Sequence, residues 1–335
     1  MWPIIPNIAN GRTLINMVNN LLPLFILAVG QMYVLIVAGI DLAQPSIVGL
    51  TSVVGAIIMT EAVDKARFGS SPLWGSIIGP DGGPLAGSPM AVPVAILAML
   101  LVGAFIGFLN GFFITRFRMP DFMVTLVFQM LFLYLAIWMT QSFNIVSLPK
   151  AFIEIGNGSI GFIPYALIIA LIVGVVSYLM LNRSKTGRWL YATGENRSAS
   201  KISGVPINKV VIKAYVISGI CCAIASVIYS GRLRQGSPTM SRNMLMDIIG
   251  AAVIGGTSMF GGKGKVGWVL IGCVFFTLLS TVLNMLKLNT FIVDIVKGLF
   301  ILFAAMFDVI RTRMAASQST MADDGSLEKA GMENG

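Results

Sequence analysis

The chain has 335 residues, 56% of them hydrophobic and only 11% charged, with a mean hydropathy of +0.86. Soluble domains carry about 25% charged residues, so this composition excludes one and points to an integral membrane protein. The formal net charge of +9 fits basic loops on one side of a membrane rather than nucleic-acid binding.

Apolar segments fall at about 21–40, 45–63, 91–115, 121–140, 163–181, 210–230, 244–260, 266–286 and 291–310. Several approach the ~20 residues that a spanning helix needs, and two are short. Unbroken apolar runs, rather than alternating ten-residue segments, predict helices and not an outer-membrane barrel. The fold class is therefore all-α: a polytopic membrane protein of about nine apolar segments. The opening stretch, MWPIIPNIANGRTLINMVNN, has neither the basic start nor the length of a translocated signal. Between spans, residues 70–90 and 149–161 are dense in Gly, Pro and Ser and read as structured outer loops.

Orientation follows from the basic residues, whose transfer across a membrane is resisted. Residues 182–213 hold Arg183, Lys185, Arg188, Arg197, Lys201, Lys209 and Lys213 against the single acid Glu195, which places this loop in the cytoplasm. Alternation then puts Arg116, Arg118, Lys263, Lys265, Arg311 and Arg313 on the same side, a total of thirteen basic residues against eight outside. The outer cluster Arg232, Arg234 and Arg242 fits poorly, and calls for a salt bridge or a partner. The same alternation leaves the N-terminus outside and the C-terminus in the cytoplasm; one further helix before residue 1 restores the parity.

A weak internal repeat appears when the segment from Val102 is laid on that from Ile271, an offset of 169 residues that aligns Gly103 with Gly272, Phe122 with Phe291 and Val124 with Val293. Duplicated halves are common in transporters; so are chance matches of this quality. The stretch IGGTSMFGGKGKVG (254–267) suggests a phosphate-binding loop, but the register fails: Thr257 stands where the first glycine is required, and Gly264 follows Lys263 where a hydroxyl residue is required. With no histidine, and with Cys221, Cys222 and Cys273 in apolar runs, metal and histidine chemistry have no basis either. No catalytic residue, metal or cofactor is expected.

The segment TGENRSASKISGVPINKVVIK (193–213) reads as a short helix between turns, from Glu195 to Ile202, with Gly194 able to cap it and Gly204 and Pro206 ending it. Composition alone allows a plain solvated loop. The pattern of an acid, small residues and a glycine resembles the coupling helix of ABC importer permeases, which sits in a groove of the ATPase subunit. Three other stretches extend the likeness across about residues 21–313: AVGQMYVLIVAGIDL (28–42), GAFIGFLNGFFITRFRMPDFMVTL (103–126) and DIIGAAVIGGTSMFGGKGKVG (247–267). Together they resemble the monosaccharide permeases of the ribose, xylose and galactose type.

That resemblance implies a coupling site at Glu195, Ala199, Ser200, Ser203 and Gly204, the small members allowing close approach. It implies three protein partners: a separate ABC ATPase subunit, a periplasmic sugar-binding protein and a second permease subunit, identical or not. The expected location is the cell inner membrane, multi-pass in the lipid bilayer, with no nucleic-acid partner. A permease domain then covers 1–313, with the cytoplasmic coupling loop at 182–213, and 314–335 is a polar cytoplasmic tail expected to be disordered. Family members usually begin with one more helix, which agrees with the parity argument. The family's GGIDLSVGS near the first turn is here AGIDLAQPS, with Ala38, Ala43, Gln44 and Pro45 departing from it.

Ionisable groups in the bilayer cost about 2.5 to 3.5 kcal/mol each, so Asp294 and Lys297, spaced i, i+3, are expected to pair. Gln31, Asn110, Gln129 and Asn284 are suited either to interhelical amide contacts or to a sugar; Gln31, Asn110 and Asn284 are the pathway candidates. The rival reading is an ion-coupled secondary transporter of a small solute, which needs carboxylates lining the midplane. A membrane-embedded enzyme lacks any converging acid, base and nucleophile.

Overall fold

The computed structural model describes residues 10–161, 163–307 and 309–310. The expected tail 314–335 lies outside them. The first half comprises α1 (Gly11–Ile36), α2 (Gln44–Met59), α3 (Lys65–Phe68), α4 (Ala91–Phe117), α5 (Asp121–Thr140) and α6 (Lys150–Asn157). A two-stranded hairpin, Ser159–Ile160 with Ile163–Pro164, leads into α7 (Tyr165–Arg183). The remainder is α8 (Lys185–Glu195), α9 (Arg197–Ile202), α10 (Ile207–Leu233), α11 (Leu245–Ile254), α12 (Val266–Met285) and α13 (Thr290–Phe307).

Among the described residues, seven helices are long and apolar enough to cross a membrane, and α2 and α11 are shorter apolar helices. Each of the nine apolar segments is therefore a helix, in an all-α fold. Two boundaries shift. α1 starts at Gly11 rather than near residue 21, because the polar stretch before Leu21 is helical too. α11 stops at Ile254 rather than near 260, because Gly255 caps it and Gly256, at φ +75°, turns the chain.

The centre of the bundle is α1, α2 and α10. From Leu24 to Val37, α1 and its end are buried without interruption, and α2 is buried on nearly every side. A helix apolar all round is a core helix. α4, α5, α7, α12 and α13 instead expose large apolar side chains such as Leu101, Phe105, Val127, Leu171 and Phe303. Contiguous apolar surface on this scale marks contact with lipid.

α1 and α10 run antiparallel: Gly30 lies against Ser218 and Cys221, while Arg232 reaches Asn19 and Asn20 at the other end. The rest is arranged about this pair in two halves. α2 and α4 pack on α10; α11 and α12 pack on α1; α2 lies beside α4 as α11 lies beside α12. Each half is a long helix, a short one and two long ones, and the antiparallel central pair makes the second half an inverted copy of the first. The offset of 169 residues correctly relates α4 to α12, although Gly103 meets Gly219 on α10 and Gly272 meets Ala251 on α11. The repeat resides in helix placement rather than in equivalent glycine contacts.

Close approach is set by glycine. Gly103 and Gly219 meet backbone to backbone, and a Cβ on Gly107 would overlap the Tyr215 carbonyl and stand 2.9 Å from Val216 Cα. Gly107→Ala is therefore expected to destabilise the α4–α10 contact by about 1–3 kcal/mol, read as a lower midpoint for thermal unfolding in detergent. Gly298→Ala on α13, where no atom lies within 4 Å of the added carbon, should leave the midpoint unchanged. Equal midpoints for the two variants would contradict this account.

Candidate coupling site

The segment between α7 and α10 is two capped helices. Ser184 Oγ accepts from the Gly187 N–H at 3.1 Å to open α8, and Asn196 Oδ1 accepts from the Ala199 N–H at 2.9 Å to open α9. Side-chain oxygens at these positions satisfy amides that the helix itself cannot. The α9 helix closes through Gly204, whose N–H donates to Lys201 O at 3.1 Å while the Val205 N–H donates to Ser200 O at 3.0 Å. Gly204 adopts φ +78°, the left-handed end that glycine takes without a Cβ penalty.

Two details of the expected helix change. Glu195 ends α8 instead of starting α9, because Asn196 is the capping residue; Gly194 lies inside α8 and caps nothing. Ser200 is buried, so the small exposed face consists of Ala199, Ser203 and Gly204. Beside it stands Ile202, 89% exposed, the most exposed large apolar side chain among the described residues. Its protrusion needed the tertiary structure, since helical spacing does not say which face is uncovered.

Beneath α9, three segments far apart in sequence converge: the end of α1 (36–42), the end of α8 and the glycine loop 255–264. The Gly262 N–H donates to Ile36 O at 2.9 Å and Arg197 Nη2 donates to Val37 O at 3.0 Å, so consecutive carbonyls at the end of α1 bind the two other segments. Tyr191 Oη donates to Gly264 O at 2.6 Å; burial pushes this hydroxyl above the usual tyrosine range, which keeps it a neutral donor. Gly194 fits where a Cβ would overlap Ile36 O and come within 2.5 Å of Gly262 N. The glycines of IGGTSMFGGKGKVG thus serve close backbone approach, with Gly261 at φ +91° and Gly262 at φ +71°.

The turn between α1 and α2 carries this contact into the bundle. Asp41 is fully buried; its Oδ1 accepts from the Ala43 N–H at 3.0 Å and its Oδ2 from Ser218 Oγ at 2.7 Å. Gln44 Nε2 donates to the same Ser218 Oγ at 2.8 Å. The short backbone segment from Val37 to Asp41 therefore joins the Arg197 contact of α9 to the Ser218 contact in the middle of α10.

The three pathway candidates are not brought together. Gln31 on α1 and Asn110 on α4 are completely buried, and none of their side-chain amide atoms has a hydrogen-bond partner among the described residues. Asn284, exposed on α12, borders a cavity of about 290 Å³ at the end of the bundle opposite α8 and α9. The expected Asp294–Lys297 pair does not form. Lys297 Nζ instead lies 2.9 Å from both carboxylate oxygens of Asp247 on α11, and Asp294 faces outward. Same-helix spacing allowed the first pairing, but α13 turns Lys297 toward α11. Nor does Arg232 need an acid: its Nη1 donates to Asn19 O at 2.8 Å and to Asn20 Oδ1 at 2.7 Å.

Residues 13–305 match the family described as branched-chain amino acid transport system / permease component. This chain belongs to that permease family. The ribose import permease protein RbsC of Escherichia coli strain K12 is 30% identical to it over 307 residues, covering 90% of this chain and 87% of the relative. The ribose import permease protein RbsC of Haemophilus influenzae is 29% identical, with 84% and 80% covered. The fructose import permease protein FrcC of Rhizobium meliloti is 29% identical, with 87% and 76% covered. No solved structure matches the chain.

Within the permease, Tyr191, Arg197 and Asp41 are contact residues that sequence reasoning passed over. In the sequence Arg197 is one of several basic loop residues, and the available signal for Asp41 is a carboxylate within an apolar segment. Gly194→Ala is expected to separate the end of α8 from Ile36 and Gly262. In a cell membrane preparation, protease cleavage within 193–205 should then accelerate several-fold, while Gly79→Ala, with nothing within 4 Å of its added carbon, should not alter it.

Proposed function

We propose that this permease is the membrane-spanning subunit of an ATP-binding cassette importer that carries a monosaccharide or sugar-like solute inward by alternating access. The relatives are named as ribose and fructose import permeases and a D-allose transport system permease, and they support a sugar over the amino acids in the family description. The observation that carries the reading is α9: a short, capped helix with a small face and a protruding Ile202, bonded through Arg197 to the end of a central spanning helix.

ATP hydrolysis belongs to a separate subunit that receives α9, and substrate reaches the opposite face on a periplasmic binding protein. A second permease subunit completes the pathway. The excess of basic residues supports a cytoplasmic side for α8 and α9 at the inner membrane, together with the C-terminus. The permease domain covers 1–313. An ion-coupled transporter is disfavoured because the buried carboxylates Asp41 and Asp247 are already engaged, by Ser218 and Ala43 and by Lys297.

Docking is tested directly at the exposed face. Ala199→Arg, Gly204→Asp and Ile202→Asp should each lower ATP-dependent uptake by at least about tenfold, the loss produced by removing roughly 1.4 kcal/mol of contact energy, and should reduce co-purification of the ATPase while the permease remains in the membrane. Undiminished uptake and ATPase retention in all three would refute the assignment of α9.

Sidedness has its own test. Cys221, Cys222 and Cys273 are buried, so introduced thiols dominate labelling. In intact cells with a permeabilised outer membrane, Asp81→Cys should react with an impermeant thiol reagent and Ser198→Cys should not. The reverse pattern would invert the orientation.

A further inference from the structure

The cavity beside Asn284 has a directly contacting ion pair in its wall, at the end of the bundle opposite α8 and α9. It lies between α1, α10, α11, α12 and α13, measures about 290 Å³ and has the Asp247–Lys297 pair in its wall. A second cavity of comparable volume, about 330 Å³, lies between α4, α6, α7 and α10, and it is lined entirely by Ile, Leu and Val. Two polar cavities of about 300 and 660 Å³ border α9 and the start of α10 at the other end of the bundle, so the polar lining at this end calls for a physical reason of its own.

An ion pair inside an apolar bundle is expensive to bury and often no more stabilising than apolar residues of the same volume. Such residues within spanning segments are by default functional. Asp247 and Lys297 also keep capacity beyond each other: a carboxylate has about four acceptor sites and an ammonium three donors, and both side chains retain slight exposure, 15% and 11%.

The other walls supply matched polar groups. Thr281 Oγ1 donates to Thr277 O at 2.8 Å, which leaves its lone pairs as acceptors. Asn20 Oδ1 is held by Arg232 at 2.7 Å, which turns the amide into a donor. The Asn284 amide, with both donor and acceptor, has no partner among the described residues. Phe276 and Leu24 give the cavity an apolar wall. Alternating donors and acceptors with an apolar face form the complement of a compact polyhydroxylated ring, and the volume lies at the small end of ligand pockets.

We propose that this cavity is a binding subsite for a polyhydroxylated solute on its way through the permease, at the end of the bundle opposite α8 and α9. It rests on the sugar-import reading above and adds where in this chain the sugar is held. The Asp247–Lys297 pair accepts and donates to neighbouring hydroxyls, Thr281 and Asn284 bind from α12, and Phe276 covers the non-polar edge of the ring.

The test uses the complete importer, permease with its ATPase subunit and binding protein, in proteoliposomes supplied with labelled ribose, allose or fructose. The double variant Thr281→Val, Asn284→Ala removes hydrogen-bonding groups without uncovering a buried charge. It should lower uptake, or raise the concentration needed for half-maximal uptake, by about tenfold, as expected for two lost hydrogen bonds, while assembly and ATP hydrolysis change less than about twofold. Asn284→Cys should react with a small thiol reagent more slowly when the transported sugar is present, a protection that a purely structural role would not give. Uptake by the double variant within about twofold of the unmodified importer, or labelling unaffected by sugar, overturns the subsite and leaves the transport reading standing. If the unmodified importer carries none of the three sugars, the monosaccharide reading falls and the subsite with it.

Discussion

The antiparallel contact between α1 and α10 is the constraint from which the rest of the bundle takes its position. Lipid tails are as apolar as leucine, so spanning helices gain little from hiding apolar surface and are held by close packing and interhelical polar contacts. Gly30 against Ser218 and Cys221, and Gly219 against Gly103 on the far side of α10, let backbones approach where any larger residue would separate them. With α1 and α10 in contact, α2 and α4 occupy one flank and α11 and α12 the other, which gives the inverted pair of halves. Peripheral helices then need only apolar surfaces facing outward.

That central contact also determines where polarity is tolerated. Ser218 donates to Asp41 and accepts from Gln44 Nε2 between the three core helices, and Ser226 donates to Val48 O at 2.9 Å on the same interface. The Asp41 carboxylate and the two serine hydroxyls would be costly if left unpaired in an apolar interior. The α1–α2 turn is therefore fixed from inside the membrane by Asp41 and from outside by Arg197 and Gly262. A displacement of α9 has to move the Val37 carbonyl or break the bond it accepts from Arg197. This gives α9 a mechanical connection to a core helix, through named atoms rather than through distance alone.

The helices themselves were legible because their signal is local. All nine apolar segments are helices, since in a bilayer each backbone amide must be satisfied within its own segment. The short helix α9 was legible in outline for the same reason, since Gly204 and Pro206 are local stop chemistry, although its start lies at Asn196 and not at Gly194 or Glu195. Boundaries were less legible at Gly11, where a polar stretch continues a helix, and at Ile254, where two glycines end one early. The Asp294–Lys297 pairing failed because i, i+3 spacing states only which residues share a face, not what that face meets.

By itself the sequence determined membrane residence, the number and approximate extent of the apolar helices, a short helix between residues 193 and 205 and, through motif likeness, the family; all of these are written in composition, run length and short-range pattern. Only the tertiary structure decided that AGIDL, the end of α8 and the glycine loop meet at one site, that Ser200 is buried while Ile202 protrudes, and that Lys297 joins Asp247. Those outcomes depend on the rotation of each helix about its own axis and on which neighbour it faces. Such quantities are fixed by close packing between segments separated by as many as two hundred residues, and no local stretch of the chain carries them.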